Sequence, residues 1–214
     1  MKNLFLILIL LFASIVNFKS SAQDVVQIGE QKWATKNLNV STFRNGDAIP
    51  EAKTKEEWEQ ASLTRKAVWS YYENDPANGE KYGKIYNWYA VNDRRGLVPE
   101  GWAIPFREDW TELNNELGGY EIAGKKLKGL ETWEAVDGEN GAGDNSSGFN
   151  GLAGGYRFHD GSFYDLGKST GYWLASENYP IGAWYCYLTA GVDEVGRHFA
   201  NRGAGFYVRM MKVD

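Results

Sequence analysis

Three blocks of this chain set aromatic side chains beside glycine. They are Tyr82-Gly83-Lys84-Ile85-Tyr86-Asn87-Trp88-Tyr89-Ala90, Pro99-Glu100-Gly101-Trp102-Ala103-Ile104-Pro105 and Ser147-Gly148-Phe149-Asn150-Gly151-Leu152-Ala153-Gly154-Gly155-Tyr156-Arg157. None has the form of a catalytic motif. Large rings supply buried area, and glycine lets a neighbouring backbone or ring come close. A chain patterned this way folds around aromatic layers and tight turns. It holds 9 Trp, 13 Tyr and 10 Phe against a single cysteine, so packing must supply the stability that an internal disulfide cannot.

The N-terminus bears on the compartment. Lys2 precedes an apolar run from Leu4 to Val16, interrupted only at Ser14, and the small residues Ser20, Ser21 and Ala22 follow. This is the layout of a secretory signal peptide. A run of that length, at ~1.5 Å per residue, falls short of a hydrocarbon core of ~30 Å. We expect residues 1–22 to be a signal peptide cleaved after Ala22 and residues 23–214 to form one domain. No cysteine stands at the new terminus, so the product is expected to be periplasmic, extracellular or on the cell surface, and not a lipoprotein. Cleavage removes Lys2 and Lys19 and takes the net charge from −5 to −7. That acidic balance argues against nucleic acid and anionic membrane surfaces as partners.

Along the chain, Val25–Ile28 and Gln31–Trp33 read as a hairpin joined at Gly29-Glu30. Thr54-Lys55-Glu56-Glu57 has capping-box form, predicting a helix to about Leu63. Val68–Tyr72 reads as a strand, and Asn74–Lys81, with Asp-Pro and Asn-Gly, as an exposed loop. Trp110, Leu113 and Leu117 share one face of a helix from Arg107 to Leu117 that Gly118-Gly119 stops, and a second short helix is expected over Ala123–Lys128. After Gly148 strands dominate: Phe149–Phe158, Ser162–Tyr164, Tyr172–Ser176, Trp184–Thr189, Val195–Ala200 and Phe206–Lys212. Short helices early and antiparallel strands in the last third predict an α+β fold.

The aromatic–glycine blocks, with Trp33-Ala34-Thr35-Lys36-Asn37-Leu38, Gly171-Tyr172-Trp173-Leu174-Ala175-Ser176 and Val208-Arg209, resemble the Fibrobacter succinogenes major paralogous domain family. The resemblance runs from about Ile28 to Lys212. It implies an exported bacterial envelope domain with a C-type-lectin-like fold and no defined activity. Val98 and Met210 stand where the family's pattern has cysteines, which implies a disulfide elsewhere in the family and an apolar Val98–Met210 contact here. Phe106 stands where the family has a threonine cap, so that helix start must be capped otherwise or fray.

Catalytic chemistry finds little support. Cys186 lies in the apolar strand Trp184–Leu188, without the cationic setting that activates a thiol. One cysteine is too few for the copper chemistry of the sulfatase-modifying enzymes that share the implied fold. His159 and His198 lack a zinc-ligand pattern. Asp137, Glu139, Asp144 and Asn145 offer clustered oxygens for calcium, but their spacing is not that of an EF-hand, and a solvated acidic loop is the simpler reading. The residues best suited to stack on a ligand or bond with it are Trp133, Asp144, Asn145, Tyr156, Arg157, His159, Tyr164 and Tyr179, with Tyr120 as a further loop aromatic. The resulting expectation is an exported, non-catalytic, cofactor-free binding or interaction domain of the bacterial envelope. Its partner would be a glycan or an envelope protein, in the latter case as a subunit of a larger surface complex. The alternative is an enzyme acting on envelope glycans or proteins through carboxylates.

Overall fold

The computed structural model describes residues 24–178, 180 and 182–213. The expected signal peptide and Tyr179 lie outside the described residues. The hairpin forms as expected, from β1 (Val25–Ile28) and β2 (Gln31–Ala34). Helix α1 (Lys55–Thr64) starts on its capping box: the Glu57 amide donates to Thr54 Oγ1 at 3.1 Å and the Thr54 amide donates to Glu57 Oε2 at 3.2 Å. Strand β3 (Trp69–Ser70) follows.

The expected loop over Asn74–Lys81 is instead mostly helix α2 (Pro76–Tyr82). Asp75 caps it by accepting from the Ala77 amide at 2.9 Å, and Pro76 occupies its first turn. Asp-Pro is a helix start as well as a turn signal, because the N1 amide needs no partner. Gly79 is buried against the Tyr71 ring, from which a Cβ would stand only 2.1 Å.

Strand β4 (Ile85–Asn87) runs into the one-turn helix α3 (Trp88–Val91), and β5 (Trp102–Ala103) precedes α4 (Arg107–Glu116) and α5 (Tyr120–Leu127). At the start of α4 the Phe106 amide donates to Asp109 Oδ2 at 2.7 Å and the Arg107 amide to Ser176 Oγ at 3.2 Å. The carboxylate half of a capping box is thus present without the hydroxyl half that Phe106 cannot supply.

The strand expected over Phe149–Phe158 is confined to β6 (Gly154–Arg157). Gly148 and Asn150 hold φ of 72° and 55°, which break extension, so Phe149 enters the core from a loop. Then come β7 (Phe163–Leu166), β8 (Ser169–Asn178), β9 (Gly182–Thr189) and β10 (Gly196–Ala200). The last expected strand divides into β11 (Gly205–Phe206) and β12 (Met211–Lys212), because the chain crosses between sheets there. The Trp173 amide donates to the Tyr207 carbonyl in one sheet, and the Ala34 amide to the Met210 carbonyl in the other.

The architecture is α+β. A four-stranded sheet has the order β1-β2-β12-β5, and a larger one the order β10-β9-β8-β6-β11-β4-β3, with β7 paired to β6. Pairing between the named strands is antiparallel except for one bridge between β6 and β8. Alternation along β8 and β9 feeds two cores. Tyr172, Leu174, Cys186 and Leu188 pack with Trp33, Trp110 and Phe149; Trp173 and Ala183 pack with Tyr86, Trp88, Phe206, Val208 and Met210. Val98 packs against the second cluster, to which Met210 belongs. Among the described residues no helix is long and apolar enough to cross a membrane.

Candidate functional site: an aromatic cleft on β6–β9

The alternation that sends Cys186 inward sends Tyr185 and Tyr187 to the opposite face of β9. There they meet Phe206 of β11 and Tyr156 of β6. Successive rings form a strip: Tyr187–Tyr185 at 5.7 Å, Tyr185–Phe206 stacked at 4.2 Å, Phe206–Tyr156 at 5.6 Å and Tyr156–Tyr164 stacked at 5.7 Å. Phe158 continues it, 6.2 Å from Tyr164, and His159 lies 4.2 Å from Phe158.

Glycine makes the floor. A Cβ at Gly171 would stand 2.4 Å from the Phe206 ring, and one at Gly196 would stand 2.0 Å from the Tyr187 ring. Only hydrogen at these positions lets the rings lie against the sheet.

The part of the strip from Tyr187 to Tyr156 lines one side of a cleft of about 410 Å³, with Asp165, Lys168 and Ser169 beside the β7–β8 turn, and Tyr164, Phe158 and His159 extend the strip beyond it. The cleft's volume is that of a small-molecule site. Burial, then the Asp165 charge, pushes the Tyr156 phenol up, and burial pushes that of Tyr185 up to about 12. Both are neutral hydroxyls at physiological pH, able to donate and accept. Asp165 and Lys168 are exposed and carry opposite charge at the rim.

Of the expected site residues, the fold brings together Tyr156, Tyr164 and His159. Trp133 is buried, its indole N–H given to the Gly151 carbonyl at 3.0 Å. Arg157 is fully buried and spends its guanidinium on the carbonyls of Ala52, Thr54 and Gly161. Neither faces solvent, so both leave the set of surface contacts. Asp144 and Asn145 lie elsewhere, on the long loop after α5. Their Oδ1 atoms accept from the amides of Ser146 and Asn150, both at 2.9 Å, and so brace that loop. Among the described residues, His, Cys, Asp and Glu nowhere gather in a group of three or more that could hold a metal ion. Tyr120 lies on α5 and lines a different cavity.

Tyr185, Tyr187, Phe206, Asp165 and Lys168 are cleft residues that sequence reasoning missed. The period-two pattern Trp184-Tyr185-Cys186-Tyr187-Leu188 does hold the signal that residues 185 and 187 share a face.

The chain is thus an α+β domain that lays a row of rings along one face of its sheet, with opposite charges at the rim. The chain is a member of the Fibrobacter succinogenes major domain family, whose model matches residues 26–212. No curated protein matches it, and no solved structure does.

Proposed function

We propose that this protein is an exported binding domain of the bacterial envelope and that it takes a glycan along the aromatic strip, in the cleft and over the adjoining Tyr164. The observation that carries the reading is the contiguous strip from Tyr187 to Phe158 beside Asp165 and Lys168. A ring's π face is negative, and the C–H side of a pyranose offers it complementary positive hydrogens. The tyrosine hydroxyls and the rim charges suit sugar hydroxyls. The lining contributes a single carboxylate, Asp165, whereas glycoside hydrolysis by the usual route uses two; this favours retention over turnover. The Asp144 and Asn145 oxygens are engaged within their own loop, which favours binding without calcium.

The address and the finer fold are part of the same proposal. Residues 1–22 direct export and are removed, and the α+β frame falls in the C-type-lectin-like group. Mass spectrometry of exported material with Ala22 as its terminal residue would contradict cleavage after that position, as would an intact Met1.

Calorimetric titration of residues 23–214 against hits from a glycan array tests the ligand. Tyr164 is exposed, so Tyr164→Ala should fold normally and weaken binding roughly tenfold, the loss of ~1.4 kcal/mol of stacking. Calcium and EDTA should leave the affinity unchanged. An array without hits, or an affinity unmoved by Tyr164→Ala, would overturn the reading. A protein captured from the envelope independently of Tyr164 would support the interaction-domain alternative.

A further inference from the structure

The opposite face of β9 and β10 carries a second, larger cavity, independent of the aromatic cleft and of the glycan reading. Its volume is about 490 Å³, and α4, the start of α5, and the loop into β10 enclose it. Cys186 lies on its floor. Burial pushes that thiol up to about 12, so it is an apolar surface and not a nucleophile.

The lining carries charge of both signs. Glu121 and Glu194 supply the negative charge; the field of Glu121 and its hydrogen bond with Tyr120, more than the field of Glu194, push the Tyr120 phenol up. Glu194 is held there by backbone. The Val195 amide donates to the Tyr120 carbonyl at 2.8 Å and the Lys125 amide to the Asp193 carbonyl at 3.3 Å. Gly124 permits the approach, since a Cβ there would stand 2.7 Å from the carbonyl oxygens of both Asp193 and Glu194. Arg197 of β10, paired with Cys186 of β9, supplies the positive charge, with a guanidinium N–H on Thr111 Oγ1 at 3.3 Å. Among the described residues neither carboxylate and not this guanidinium forms an ion pair.

We propose that this cavity is a ligand site for a small dipolar molecule of the amino-acid or short-peptide class. The amine pairs with the Glu121 and Glu194 carboxylates, and the carboxylate meets Arg197. A neutral sugar would leave the charges of both signs unanswered, and a simple anion would meet two carboxylates. Only a ligand carrying both charges answers the whole lining.

Alanyl-alanine is the probe, titrated into residues 23–214 by calorimetry or by amide shifts in NMR, beside its N-acetyl derivative and its C-terminal amide. The free dipeptide should bind, and each blocked derivative should bind at least about tenfold more weakly. Arg197 is exposed, so Arg197→Met should keep the native melting temperature. It should weaken the dipeptide by a similar factor and leave the C-terminal amide unmoved, since that ligand has already lost the contact. No binding of the dipeptide, equal binding of the blocked forms, or indifference of the dipeptide to Arg197→Met overturns the proposal. The ligand arms use the unaltered protein, so they decide the matter even if the variant misfolds. Tyr164→Ala should not change dipeptide binding, which separates this site from the cleft.

Discussion

Among the described residues, four cations are buried without an ion pair. Lys128 is fully buried and donates to the carbonyls of Gly141, Thr189 and Val192, with the Trp133 ring 5.5 Å away. Lys84 reaches both oxygens of Asn39 and lies 4.4 Å from the Trp69 ring. Arg157 lies between Trp58 and Phe163, and Arg209 between Phe149 and Tyr172. Carbonyl dipoles and ring faces stand in for carboxylates, which is how a charge survives burial. The same chemistry explains why Arg157 was misread from sequence: arginine after a glycine pair looks solvent-bound until the carbonyls that claim it are known. We expect Lys128→Met to cost about 2–4 kcal/mol in chemical denaturation, because several carbonyls lose their donor at once. Burial lowers the pKa of Lys128 and of Lys84. Between that lowered value and the unfolded value of ~10.4 the unfolded chain binds more protons, so the lysine contribution to stability rises with pH there. Buried Tyr86 and Tyr207, held well above their ordinary value, act the other way above ~10. The measurement is therefore a difference. The stability of the unaltered protein relative to Lys128→Met should increase as alkaline pH approaches ~10.4, and a flat difference would contradict the assignment.

At the scale of elements, local signals were legible where one short segment carried them whole. The capping box before α1 and the apolar face of α4 each specify a helix from a few neighbouring residues. Thr54→Ala should lower stability by about 1 kcal/mol through loss of the cap, read as a shift of the denaturation midpoint. Asp109→Ala should cost a similar amount, since the Phe106 amide has Asp109 as its partner. Ambiguous signals failed where two local rules competed. Asp75-Pro76 serves a turn and a helix equally, and Tyr71 packing over Gly79 decides between them from outside the segment. The aromatic cleft was half legible for a similar reason. Alternation along β9 assigns Tyr185 and Tyr187 to one face, but which face stays open depends on β6, β7 and β11 arriving beside it.

At the scale of the whole molecule, the two cores meet at the ribbon β8–β9, and the segment from Val208 to Met210 stitches the small sheet to the large one. Val98 and Met210 pack in one cluster at that seam. Val98→Cys with Met210→Cys should form a bridge under oxidising conditions, visible as loss of two alkylatable thiols. The chain-entropy gain for so long a loop is about 4–5 kcal/mol, reduced by any strain. A pair that remains reduced would place the two positions too far apart for a bridge. The unaltered protein has only the buried Cys186, so its melting temperature should not respond to reductant.

Strand β12 is an interior strand of its sheet, with Met211 paired to both Trp33 and Ala103, and Arg209 donates to the Ala34 carbonyl and Asn37 Oδ1 near the chain's start. The first strands made on the ribosome therefore wait for nearly the last residues before their sheet can close. Loop closure on that scale comes late and slowly. For a chain exported as proposed, this would leave no finished fold to resist threading through a narrow pore. Force-sensing arrest sequences fused downstream should register folding only after Lys212 has cleared the exit tunnel, and a pulling signal from chains ending before Arg209 would show that the small sheet is dispensable.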